Sequence, residues 1–165
     1  MPTRRTLLAA ALAAPLSATL AACGFALRQA PVFHFKSIYL AMPETELALQ
    51  LRRQLEGAGS VLITDKPAQA DVVFESRGEH RIRDVLSRNA DGEVRELLLR
   101  LSLTWRLRTG DGRELIPPTE LEREMEQSYS ETSAISKAEE ARMLFREMQS
   151  DLVQQIMRQL ASVQP

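Results

Sequence analysis

Between residues 97 and 107 the chain alternates with a period of two. Leu97, Leu99, Leu101, Leu103, Trp105 and Leu107 take every second place; Glu96, Arg100, Ser102, Thr104, Arg106 and Arg108 take the others, with Leu98 the exception. A helix would scatter these apolar side chains around its circumference, whereas a strand collects them on one face. The chain must therefore build a sheet with one apolar and one wetted face, and must find something apolar to cover the first.

The flanking segments supply the rest of that sheet. Residues 71–86 open on Val72, Val73 and Phe74 and then become highly charged through Arg77, Glu79, Arg81 and Arg83. Asn89-Ala90-Asp91-Gly92 reads as a hairpin turn, its glycine supplying a positive φ. Thr109-Gly110-Asp111-Gly112 turns the chain again, and residues 114–129 return, with Pro117-Pro118 marking an edge or bulged strand. Glu120, Glu122, Glu124 and Glu126 share one face of that return. Carboxylates in a row do not converge on a point, so they read as a solvated edge that repels other strands rather than as a metal site.

Two helical patterns supply the cover. Residues 37–41 form a short strand stopped by Pro43, after which Leu47, Leu51, Leu55 and Ala58 recur at helical spacing, closed by Gly57 and Gly59. Residues 61–64 are briefly strand-like. From Ser136-Lys137-Ala138-Glu139, which has the form of a capping box, Ala141, Phe145, Met148, Leu152, Ile156, Leu160 and Val163 make one long apolar stripe. The expected fold is α+β, a two-layer sandwich of a mainly antiparallel four-stranded sheet with two helices on one face.

The N-terminus is of another kind. Arg4 and Arg5 precede an uncharged Leu/Ala stretch over residues 7–20, and no acid occurs before Glu44. The stretch ends Leu20-Ala21-Ala22-Cys23, an aliphatic residue, two small ones and the chain's single cysteine. This is the pattern of a lipoprotein signal peptide, in which Cys23 becomes the lipid-bearing first residue of the mature protein. A lone cysteine has neither a disulfide partner nor metal-site companions. Thr3-Arg4-Arg5-Thr6 also resembles a twin-arginine export signal, so the export route stays open. The expected organisation is a signal peptide over 1–22, a lipidated tether over 23–36 and a single domain over 37–165. Gly24 stands where some lipoproteins carry an inner-membrane retention aspartate, which points to the outer membrane.

Without residues 1–22, 143 residues remain with 19 basic and 22 acidic side chains, a formal charge of −3. That balance argues against nucleic-acid binding, which calls for a strongly positive domain. No second stretch approaches the roughly 20 apolar residues of a spanning helix, leaving the lipid as the expected membrane attachment. Glycine-rich phosphate loops, paired cysteine or His-Glu-x-x-His spacing and a nucleophile elbow are all missing from the sequence. His34 and His80 lie far apart, and Glu79 beside His80 points to the opposite strand face. We expect neither an enzyme nor a cofactor beyond the acyl and diacylglycerol groups on Cys23.

Several segments resemble one known family, the lipopolysaccharide-assembly lipoproteins called LptE. Cys23-Gly24-Phe25-Ala26-Leu27-Arg28 is similar to the family's Cys-Gly-aromatic-x-Leu-Arg start. Gln54-Leu55 before Gly59, Gly92-Glu93-Val94-Arg95-Glu96 on the hairpin and Leu115-Ile116-Pro117-Pro118 also match. So does the last helix through Glu139, Glu140, Met148, Asp151, Leu152, Gln155 and Ile156. The chain departs from the family's Arg-x-Tyr-x-Tyr run, having Arg123-Glu124-Met125-Glu126 and then Tyr129. The resemblance implies a monomeric plug in a 1:1 complex with the outer-membrane β-barrel LptD, facing the periplasm and helping to insert lipopolysaccharide into the outer leaflet. It further implies lipopolysaccharide contacts at Arg88 and Lys137, where guanidinium and ammonium groups suit phosphorylated sugars. Arg81 and Arg83, on the same strand as Arg88, are candidates to extend that patch, although arginines on exposed strands commonly do no more than solvate them. An auxiliary lipoprotein of another envelope transport complex is the alternative that the residues leave open.

Overall fold

A computed structural model describes residues 31–165. In chain order these are strand β1 (Ser37–Ala41), helix α1 (Glu46–Ala58), the two-residue strand β2 (Leu62–Ile63), the long strands β3 (Val72–Arg88), β4 (Val94–Thr109) and β5 (Glu114–Ser128), and helix α2 (Ala134–Ser162). The signal peptide, Cys23 and the first part of the expected tether lie outside the described residues.

The sheet has five strands in the order β2-β1-β3-β4-β5 and is mixed, not the mainly antiparallel four-stranded sheet expected. The meander β3-β4-β5 is antiparallel, but β1 pairs in parallel with both β2 and β3. The reason is connectivity. Tight turns can join only antiparallel neighbours, and their residues are visible in a sequence; parallel neighbours need a crossover, here α1, that carries no pairing signal of its own.

The alternation in β4 sets the layers. Leu99, Leu101, Leu103 and Leu107 are fully buried, Trp105 is 1% exposed, and Leu97 is only half-covered near the hairpin. They join Ile38, Leu40 and Phe74 from the neighbouring strands in one cluster beneath Leu47, Leu51 and Leu55 of α1 and the α2 stripe from Ala141 to Leu160. Trp105 stacks on Phe74 with centroids 4.9 Å apart, an aromatic pair worth about 0.5–1.5 kcal/mol beyond its buried area.

Three local expectations are corrected. Gly57 sits inside α1, and Gly59 (φ 68°) ends the helix; Thr45 caps its start, its hydroxyl accepting from the Ala48 N–H at 3.3 Å. Ser136 forms no capping box. Helix α2 starts three residues earlier, with Ser133 at the cap position; the Ser136 hydroxyl donates back to the Ser133 carbonyl at 2.9 Å, and the Glu139 carboxylate pairs with Arg142. The expected tether also ends too late. Phe33 and Phe35 belong to the core, with ring centroids 5.3 Å apart, and the Lys36 and Ser37 amides donate to the Asp71 carboxylate at 2.8 and 3.0 Å.

Candidate functional site at the hairpin end

β3 runs from the Asp71 clasp, where the chain enters the sheet, to the Asn89 turn. Its sixteen residue steps at ~3.3 Å each separate the two ends by about 50 Å. The turn is tightly made. The Asn89 side-chain oxygen accepts from the Asp91 and Glu93 amides at 3.1 and 2.8 Å, and Gly92 takes φ 84°. Arg88, immediately before it, donates from Nη1 to the Gly92 carbonyl at 2.8 Å. Its guanidinium thus closes the turn and still has other N–H groups to offer, since an arginine carries five donors.

Lys137 comes to the same end by a different route. Its Nζ donates to the Ser128 hydroxyl at 2.9 Å and to Glu140 at 2.7 Å, while Gln127, only 2% exposed, donates to the Lys137 carbonyl at 2.7 Å. Ser128 lies opposite Glu96 on β4, and Glu96 accepts from the Ser87 hydroxyl at 2.6 Å. Arg88 and Lys137, 49 positions apart in sequence, are thereby tied to one end of the sheet through Ser87, Glu96 and Ser128.

Arg81 and Arg83 do not join that patch. Pairing with Leu101 and Leu99 places them in the inner row, and both lie over the Phe145 ring of α2, at 5.5 and 5.6 Å. Arg81 also bonds Glu79 at 3.3 Å, faces Glu46 at 3.8 Å and, at 2.9 Å, donates to the Gln149 amide oxygen, which accepts from Leu47 N–H as well. Arg81 therefore joins β3 to both helices. Arg83 is five residues short of Arg88, roughly 15 Å along the strand. Sequence reading missed Gln149, which is fully buried within the apolar stripe; a polar residue at a stripe position was the available signal.

The outer face of the sheet carries most of its ion pairs. Arg100 on β4 lies 2.6 Å from Glu124, 3.5 Å from Glu122 and 3.7 Å from Asp84, and the Glu124 hydrogen bond leads these in raising its pKa. Glu75 accepts from Arg108 at 2.6 Å and from Arg106 at 2.7 Å; these bonds, Arg108 first, hold its carboxyl below the ordinary range despite partial desolvation. The acidic row of β5 is exposed, as expected of a solvated edge. An open cleft of about 570 Å³ crosses this face beside Glu75, Arg77, Thr104 and Pro118. Among the described residues no three His, Cys, Asp or Glu side chains group as metal ligands, and no helix is long and apolar enough to cross a membrane.

The lipopolysaccharide-assembly family LptE matches residues 35–160, which covers the whole sheet and nearly all of α2. The chain belongs to the LptE family. LptE proteins are non-enzymatic and take part in lipopolysaccharide assembly. Among solved structures, an uncharacterized lipoprotein B from Nitrosomonas europaea is 27% identical with a TM-score of 0.73, over 84% of this chain and 91% of that one. The rare lipoprotein B of Shewanella oneidensis (22% identity, TM-score 0.68, 77% and 95% covered) shares the fold. So does a minor lipoprotein from Acinetobacter baumannii (24%, 0.63, 79% and 94%). No match is found among curated proteins.

Proposed function

We propose that this LptE-family chain is an outer-membrane lipoprotein, anchored on the periplasmic side through lipid on Cys23, that plugs the LptD barrel and hands lipopolysaccharide toward the outer leaflet. One observation carries the reading: the chain enters the sheet at the Asp71 clasp, and the basic hairpin end lies at the opposite pole, about 50 Å away. A hydrocarbon core is ~30 Å thick, so a sheet of this length is long enough to reach across a barrel. The charged outer face suits a wet barrel interior.

Arg88 and Lys137 then meet the phosphates of the passing lipopolysaccharide. Their present partners are the exposed Gly92 carbonyl for Arg88, and the Ser128 hydroxyl and half-exposed Glu140 for Lys137, groups that an anion can displace. Exposed ion contacts are weak and screened by salt, which favours transfer over capture. In the test, Arg88→Glu with Lys137→Glu is made in the full lipoprotein, and binding to lipopolysaccharide is measured at low and high salt beside an LptD pull-down. Weaker binding, most marked at low salt, with LptD association and circular dichroism unchanged, is the expected result. Undiminished binding would remove these two residues from the site, and loss of the LptD pull-down in the parent protein would end the plug reading.

A further inference from the structure

We infer that the outer part of β3, residues 79–85, is a docking edge that takes up an extended, acid-bearing strand of a partner protein. β3 is paired with β1 only over Val72 to Glu75; beyond that, its other side is bonded to no described residue, while β4 holds it as far as Arg88. A strand edge with free N–H and C=O groups is a template for one more strand.

The two long edges of this sheet are treated differently. β5 carries Pro117 and Pro118, which break its ladder, and four exposed glutamates that repel approaching strands. β3 beyond Gly78 has no proline and is exposed without interruption from residue 80 to 86. Three of its residues are exposed aliphatics: Ile82 at 41%, Val85 at 46% and Leu86 at 45%. Over residues 79–85 the β3 ladder is regular, its next register slips coming only past Val85, so this stretch of edge combines unbroken pairing geometry with apolar side chains to cover.

Charge selects the occupant. On the inner row, Arg83 is held by the Phe145 ring alone and has no carboxylate within ion-pair distance among the described residues; Arg81 stands beside it. On the outer row Ile82 lies between His80 and Asp84. An added strand with acids in the row beside Arg81 and Arg83 and aliphatics in the row beside Ile82 complements both. A second copy of this chain does not: β3 against β3 brings these arginines together, and β5 against β3 sets its Glu row beside Asp84. The inference stands apart from the LptD reading and does not use Arg88 or Lys137.

The probe is a synthetic ten-residue peptide alternating valine and glutamate, added to the mature lipoprotein in detergent. Amide hydrogen exchange is followed at the amides of residues 79–85 that point away from β4, with 119–128 as reference. The peptide should slow exchange at the first segment and not at the second. Arg83→Glu should weaken it about tenfold, and replacing the peptide's glutamates by lysines should restore binding to that variant. Ile82→Asp, at an exposed position away from Phe145, should weaken the original peptide as well. The inference fails if exchange is unaltered, if protection falls on 119–128, or if the lysine peptide does not rescue Arg83→Glu. It fails equally if the amides of residues 79–85 that point away from β4 are already protected before peptide is added, because a second copy or the chain's own N-terminal segment would then fill the edge.

Discussion

Arg83 lies with its guanidinium carbon 5.6 Å from the centre of the Phe145 ring, on the ring that Arg81 approaches to 5.5 Å. Phe145 is 3% exposed, so it both closes the core and carries two cations at its margin. Phe145→Ala should cost about 3–5 kcal/mol, the usual range for a buried aromatic. Phe145→Leu should lose the cation contacts and much less stability. Urea unfolding of the pair separates the two roles; equal losses would mean that the ring contributes through its charge contacts alone.

Leu101 is the centre of the β4 row, fully buried between Arg81 on β3 and Arg123 on β5. Leu101→Ala should cost about 2–5 kcal/mol. A loss below about half a kilocalorie, the range of surface positions, would place the apolar face of the sheet on the wrong side.

Much of this was legible because it is periodic or made by turns. The strict alternation of 97–107, the stripe of α2 and the two glycine turns each specify local geometry from neighbouring residues. Short-range signals failed where a longer-range contact decided. Ser136 had the form of a cap, but the chain had already begun to coil at Ala134. Phe33 and Phe35 looked like tether because the Asp71 clasp that holds the next two residues comes 35 positions later. Arg81, Arg83 and Arg88 read as one basic stretch, yet strand pairing turns the first two toward Phe145 of α2 and leaves the third at the turn.

Two glycines should respond in opposite directions to alanine. Gly57 is in the helix interior, and a Cβ there meets nothing within 4 Å, so Gly57→Ala should stabilise by up to about 1 kcal/mol. At Gly110 a Cβ would press on the Ala70 carbonyl oxygen, a backbone atom that cannot step aside, and the Gly110 N–H already donates to the Asp71 carbonyl at 3.1 Å. Gly110→Ala should destabilise by about 1–3 kcal/mol. Thermal melts of both variants beside the parent are sufficient.

Asp71 predicts an acid-sensitive entry clasp. The Lys36 amide, then the Ser37 amide and hydroxyl, lower its pKa from the ordinary 3.8 against a partial desolvation penalty. A carboxyl with a depressed folded pKa contributes stability that is complete above its unfolded value and fades as pH falls through the folded one. The loss should therefore begin near 3.8 and continue below it, and Asp71→Asn should flatten the dependence of unfolding on pH in that window. A parent curve with the same slope as the variant would detach Asp71 from acid stability.

Cys23 is the proposed acceptor of the first lipid. Cys23→Ala should yield an uncleaved, unlabelled precursor when cells are fed a palmitate analogue; equal label in mutant and parent would end the anchor proposal.

The bulges on either side of Trp105 divide the sheet mechanically. β3 slips register between Ser76 and Glu79, around Gly78 at φ 101°, and β5 slips opposite Trp105 to Leu107, at its prolines. Bulges bend a strand and increase its twist, and two facing each other across one strand do so together. Below them the sheet is braced by β1 and β2; above them three strands continue with α2 across their inner face, from Phe145 beside Arg83 to Lys137 beside Gln127. The slips therefore set where the sheet bends, and α2, bonded to the meander as far as Gln127 and Ser128, carries that bend out to the hairpin end as one packed layer.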